Sequence, residues 1–504
     1  MAVKFYQAQN QVPLEMHKVR IVQKLSLLPV EERLKKIQEA GNNTFLLQNR
    51  DIYLDMLTDS GVNAMTDLQL AASMRADDSY AGSETFTRVK DAVKEVFGTD
   101  NVLPAHQGRA CENILASALV KPGQVALMNF HFTTTKAHVT RMGGTVEELV
   151  AEKGLLPQSN DPFKGDFDLA KLRETINEKG AENVAFVRVE AGTNLIGGQP
   201  VSLENMLAVT DICHENHIIS VLDASLLQDN VYFMKTREAR CKYMDIKSIY
   251  HLLADHFDII YFSARKLGFA KGGIITSKDA KYTKMMMEYI PLYEGFLTYG
   301  GIDVRTMEAM AQGLYESLDM EYINQGPEFI NYLAKELHDY GVPVILPAGG
   351  LGCHLNAGAF VPDMPHDQYP AAAVAAADAL LRPKTIFLSF PVIPKIFCEM
   401  NAPIHLLPTA TSVIIIATFR VEPPEKRAFT SIIIPTPIRK YGMKMAFPTN
   451  SSLFISGDTC GMSLLRTSPV RNAPMIPSIP TNCMRPAPRN TIASTNTNCI
   501  MLSE

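Results

Sequence analysis

Tryptophan is absent from this chain of 504 residues, and cysteine is scarce: eight residues, set singly, with no Cys-x-x-Cys pair. That spacing excludes zinc ribbons and redox dithiol motifs, and it favours a reduced, cytoplasmic protein over a disulfide scaffold. No apolar run approaches the ~20 residues a membrane helix needs; residues 413–417 are far too few. Residues 1–12 hold no long apolar stretch of the secretory-leader kind. Positive charge is not in surplus either. The formal net charge is −5, which argues against nucleic acid as the main partner. What is present is 46% hydrophobic residues, enough for two or three domains with substantial cores.

Apolar, β-rich runs alternate with helical periodicity from residue 101 to 273. Strands are expected at 101–104, 125–129, 143–149, 184–189, 218–222 and 257–262. Helices are expected at 110–119, 169–178, 203–216 and 246–254. This is the pattern of an α/β fold, a doubly wound, mostly parallel sheet flanked by helices. Before it, residues 13–40 look charged and helical, with a helix start at Pro29, and an amphipathic helix covers about 66–74.

Chemistry-bearing residues gather where strands end. After 257–262 come Ser263, Ala264, Arg265 and Lys266, then a glycine-bearing loop. A lysine at the carboxyl edge of such a sheet, beside another cation, can lose its proton and form a Schiff base with an aldehyde. Gln107, Gly108 and Arg109 follow a strand and open a helix, a geometry that turns free amides toward a phosphate. Phe132 offers a stacking face, Asn194 an amide, and Asp223 a carboxylate for a protonated ring nitrogen. Singly, these also fit a turn, a core aromatic and a cap. Together they are the groups that hold pyridoxal phosphate. Ser263-x-x-Lys266 also has the spacing of a penicillin-binding serine-lysine pair, but that serine should open a helix and the rest of the set is missing.

Longer stretches resemble the β-eliminating lyases, the family of tyrosine phenol-lyase and tryptophanase. They are LTDSG (57–61), YAGSE (80–84), HQGR (106–109), FTTT (132–135), FKGDFDL (163–169), GGQPVS (197–202) and YEGFLTYGG (293–301). The resemblance implies a fold-type I pyridoxal phosphate enzyme with a smaller α+β domain. It also implies a homotetramer activated by a monovalent cation such as K+. Such enzymes split tyrosine or tryptophan into phenol or indole, pyruvate and ammonia. Position by position it implies Lys266 as the Schiff-base lysine and Asp223 as the ring-nitrogen partner. Gln107, Gly108, Arg109 and Ser263 become phosphate contacts, Phe132 the stacking ring and Asn194 the contact to the ring hydroxyl. Tyr80 would aid leaving-group protonation across a subunit interface. Ser60 and Thr133 would meet substrate, and Gly61 and Asp78 the cation. HQGRACEN and FTTTKAH resemble tyrosine phenol-lyase more than tryptophanase.

Two departures stand out. The family carries an arginine three positions beyond the aspartate, where this chain has Leu226; Arg265 replaces a lysine beside Lys266. The expected layout is an N-terminal arm with part of the small domain (1–57), a large cofactor-binding domain (58–305), the incomplete remainder of the small domain (306–380) and a tail (381–504). About half of the prolines and cysteines fall in the tail, and acidic residues nearly vanish there. It reads as a shifted-frame translation or a disordered extension. Threonine aldol cleavage, cysteine β-elimination, or cofactor binding without turnover are the alternative functions.

Overall fold

The sheet is built from short runs that begin and end close to where hydrophobic patterning places them. The fold is that of a computed structural model, which describes residues 4–7, 10–13, 18, 24–53, 55 and 65–380. A hairpin, β1 (Lys4–Gln7) and β2 (Asn10–Pro13), pairs antiparallel near the start. The main sheet comprises β3 (Val102–Ala105), β4 (Val125–Met128), β5 (Thr145–Glu148), β6 (Val184–Glu190), β7 (Ser220–Asp223), β8 (Ile259–Ser263) and β9 (Gly273–Thr276). Its spatial order is β3-β9-β8-β7-β6-β4-β5. Strands β4 to β8 are mutually parallel. Strand β9 runs antiparallel to both β8 and β3. Strand β3 therefore points the same way as β8.

Helices cover both faces, as a sheet with buried central strands requires. One apolar layer joins the sheet to the helices Glu84–Phe97, Leu203–Glu215, Ile246–His256 and Val304–Glu316. The other is built mainly on the helix Gly108–Leu119. Helix ends follow local chemistry. Ser83 caps Glu84–Phe97 and Gly98 closes it in the left-handed region; Asp303 caps Val304–Glu316.

The helix Val304–Glu316 packs tightly on the loop after β8. A Cβ on Gly313 would come within 1.9 Å of the Gly268 carbonyl. Buried Gln69 donates to the carbonyls of Gly268 and Ala309, both at 2.9 Å, tying a second helix to the same loop.

Several expectations need correction. In the region 13–40 the only described helix is Val30–Glu39; residues 24–29 are not helical, because Pro29 can begin a helix but not continue one. Strand β9 was not expected, since GIIT begins on the second residue of a glycine pair that reads as a loop. The connection from β7 to β8 holds two helices, Leu227–Arg237 and Ile246–His256, where one was expected. Residues 381–504, with the whole proposed tail, lie outside the described residues.

Candidate active site

Five strands deliver their carboxyl ends to one edge of the sheet. At the end of β8, Lys266 lies half-buried, its amide donating to the Ser263 carbonyl at 3.1 Å. The loop closes through Ala264 N–H to Gly272 O and Ala270 N–H to Ala264 O. Gly268 (φ +101°) and Gly272 (φ +113°) take backbone angles that a side chain would oppose.

Asp223 ends β7, directly beside β8, where it pairs in register with Tyr261. The two ends are linked: the Ser263 amide donates to the Ser225 hydroxyl at 3.0 Å. Asp223 is 5% exposed. Its Oδ1 accepts from the Ser225 amide at 3.0 Å, and its Oδ2 from the Tyr261 hydroxyl at 2.8 Å and from Arg188. Next in the sheet is β6, followed by the turn holding Asn194, whose amide donates to Glu190. Beyond it is β4, followed by half-buried Phe132 and by Thr133, which opens the helix Thr133–Arg141.

The fifth end is that of β3. Gln107 occupies the N-cap of the helix Gly108–Leu119 without capping it by its side chain, which leaves the Gly108 and Arg109 amides to an anion. Gly108 stands against Ser263: a Cβ there would lie 2.7 Å from the Ser263 Cβ. Arg109 is exposed on the first turn. An amine, a buried carboxylate and an uncapped 12-residue helix start, with a glycine cradle beside Ser263, make a donor set that fits pyridoxal phosphate.

Tyr80 sits elsewhere on the surface, 68% exposed. Its ring packs edge-on against Phe296 at 5.4 Å and near Tyr299 at 5.9 Å. That segment presses on β3, since a Cβ on Gly300 would come 2.0 Å from the Pro104 carbonyl. Asp78 is exposed beside Tyr80, and Ser60 and Gly61 lie outside the described residues.

Sequence reasoning missed several polar groups around this edge. Arg188, Glu190, Glu112 and Tyr261 form a buried network beneath Asp223. The signal was available: an arginine and a glutamate inside the buried strand Val184–Glu190 need partners. Asp229 was missed too. Desolvation pushes its carboxyl up to about 7, against an amide donated by Leu351 and the nearby charge of Lys266. Leu226 is buried against Gly192, so no guanidinium occupies that position.

The family model for β-eliminating lyases matches residues 55–386. Tyrosine phenol-lyase of Fusobacterium nucleatum is 40% identical over 366 residues, which span 72% of this chain and 80% of that protein. The Symbiobacterium sp. tyrosine phenol-lyase is 38% identical over 364 residues, with the same coverage. Clostridium tetani tyrosine phenol-lyase is 38% identical over 369 residues, 73% of this chain and 80% of that one. Among solved structures, aspartate aminotransferase from Thermus thermophilus with maleate aligns at a TM-score of 0.49 and 14% identity, covering 71% of this chain and 90% of its own.

Proposed function

The chain belongs to the β-eliminating lyase family of pyridoxal phosphate enzymes, and we propose that it converts tyrosine and water to phenol, pyruvate and ammonia. The observation that carries this reading is the placement of Lys266 and Asp223 at the ends of neighbouring parallel strands. An amine and a carboxylate so placed can grip opposite ends of one heterocycle. The relatives that share 38–40% identity are named tyrosine phenol-lyases, which favours tyrosine over tryptophan.

When bound, pyridoxal phosphate supplies an electron sink for negative charge at the substrate's Cα. The chain's residues do the rest. The first-turn amides at Gly108 and Arg109, with Gln107 and Ser263, would hold the phosphate. Phe132 would supply the stacking face for the ring and Asn194 an amide for its hydroxyl. Lys266 would hold the cofactor at its aldehyde end, and its amine, kept near the substrate's Cα, would move the proton there. Tyr80, supplied by a neighbouring copy, would hand a proton to the departing aromatic carbon. Thr133 and Ser60 would meet the substrate, and Gly61 and Asp78 a potassium ion. Exposed Tyr80, Leu292 and Phe296 suit coverage by another copy, in keeping with a homotetramer in the cytoplasm.

Buried Leu226, in place of a polar group near Asp223, favours a second reading, β-elimination from cysteine. Purified protein with added pyridoxal phosphate and tyrosine should release phenol and pyruvate in equal amounts. Borohydride should fix the cofactor to the parent but not to Lys266→Ala. Pyruvate from cysteine alone would replace the first reading by the second. Cofactor fixed equally in Lys266→Ala would sink the site assignment.

A further inference from the structure

A guanidinium with no access to water stands under the site. Arg188 projects from the middle of β6 and is 1% exposed. In the β6–β7 register Arg188 lies opposite Val221 and Glu190 opposite Asp223. With a side-chain period of two, Arg188, Glu190 and Asp223 share one face, and Arg188 meets Asp223 on the diagonal.

A buried cation needs its donors matched. The Arg188 Nη2 donates to Asp223 Oδ2, and Nε to the Tyr261 hydroxyl at 2.9 Å. Its Nη1 lies 3.4 Å from Glu190 Oε2 and 3.4 Å from the Phe130 carbonyl. The Tyr261 hydroxyl donates its single proton to Asp223 Oδ2 at 2.8 Å; Glu112 Oε1 is farther, at 3.3 Å. Burial pushes Glu190 up to about 7 and raises Glu112 as well. Glu112 belongs to the helix Gly108–Leu119 and also accepts from Thr134 and Thr135. The network thus ties β6, β7, β8 and that helix together.

An ionised carboxylate offers about two acceptor positions per oxygen. On Oδ2 both are taken, by Arg188 and Tyr261. On Oδ1 the Ser225 amide takes one. We propose that Arg188 is a positioning residue: with Tyr261 it saturates Oδ2 of Asp223, so that Oδ1 is the oxygen presented to the cofactor's ring nitrogen. This rests on Asp223 being the ring-nitrogen partner.

The test loads full-length parent, Arg188→Gln, Arg188→Lys, Tyr261→Phe and Asp223→Ala with pyridoxal phosphate labelled with 15N at the ring. Two quantities are read: the ring 15N shift, which reports protonation, and the cofactor dissociation constant. In Arg188→Gln the signal should move toward the unprotonated position and the dissociation constant rise by about tenfold. Arg188→Lys should recover part of the protonated signal, and Tyr261→Phe should move it the same way by less. If Asp223→Ala changes both readouts while Arg188→Gln leaves both at parental values, the positioning role is overturned and the Asp223 assignment stands. If Asp223→Ala changes neither, the assignment beneath it is wrong. Should Arg188→Gln fail to fold by circular dichroism, Tyr261→Phe decides, and an unmoved 15N signal there overturns the proposal.

Discussion

Gly108 and Ser263 approach so closely that a Cβ on the glycine would lie 2.7 Å from the serine Cβ and 3.0 Å from its Cα. The contact joins the start of a helix to the end of β8, the strand that precedes Lys266. Because backbone stands on both sides, a methyl group cannot be absorbed by turning a side chain. Gly108→Ala should cost about 1–3 kcal/mol in chemical denaturation, the range for overpacking. It should also weaken cofactor binding in a fluorescence titration by more than it weakens the fold. Parental cofactor affinity in this variant would remove the helix start from the phosphate site.

Glu308 is fully buried and accepts from Arg75 at 3.0 Å, Arg88 at 2.6 Å and the Thr85 hydroxyl at 2.9 Å. These partners flank the loop that carries Tyr80. Glu308→Ala should destabilise the protein by about 3 kcal/mol, the low end for a broken buried ion pair, because both arginines can turn to water. Urea denaturation measures it. A loss below about 1 kcal/mol, the level of a surface pair, would show that the carboxylate does not anchor this loop.

Tyr80→Phe should lower kcat for tyrosine by about 100-fold or more, the usual contribution of a positioned proton donor. A β-substituted alanine whose leaving group departs without a proton should be turned over almost as by the parent. Equal losses on both substrates would argue against proton delivery by this hydroxyl.

Asp229 predicts a pH dependence. Desolvation raises its folded-state value to about 7, above the unfolded 3.8. The unfolded chain therefore releases this proton at lower pH than the folded one. Relative to Asp229→Asn, the parent should be at its best below about pH 4 and lose stability as pH rises through 7. The difference should reach a few kcal/mol, at most about 4, since the residue keeps some exposure. Thermal melts of both proteins between pH 4 and 8.5 give the comparison, and parallel curves would refute the shift.

Much of the sheet was legible in the sequence because buried parallel strands are short, apolar and bounded by polar turns. β4, β6 and the helix Leu203–Glu215 fall within a residue or so of the hydrophobic pattern. β9 was hidden by its flanking glycines, and the helix Leu227–Arg237 by its mixed polarity, since it buries Gln228 and Asn230 as well as Leu227 and Phe233.

The chemical identity of the site residues was settled by local sequence: a lysine after one strand, an aspartate at the end of another, a glycine opening a helix. Their convergence on one edge was not. It follows from strand order, in which β3 reaches the same side only because antiparallel β9 stands between it and β8. The partners of Asp223 likewise come from β6 and β8, 35 and 38 residues away along the chain. A linear pattern records which side chains are buried; which buried charge meets which is decided by sheet register, and register is a property of the folded chain alone.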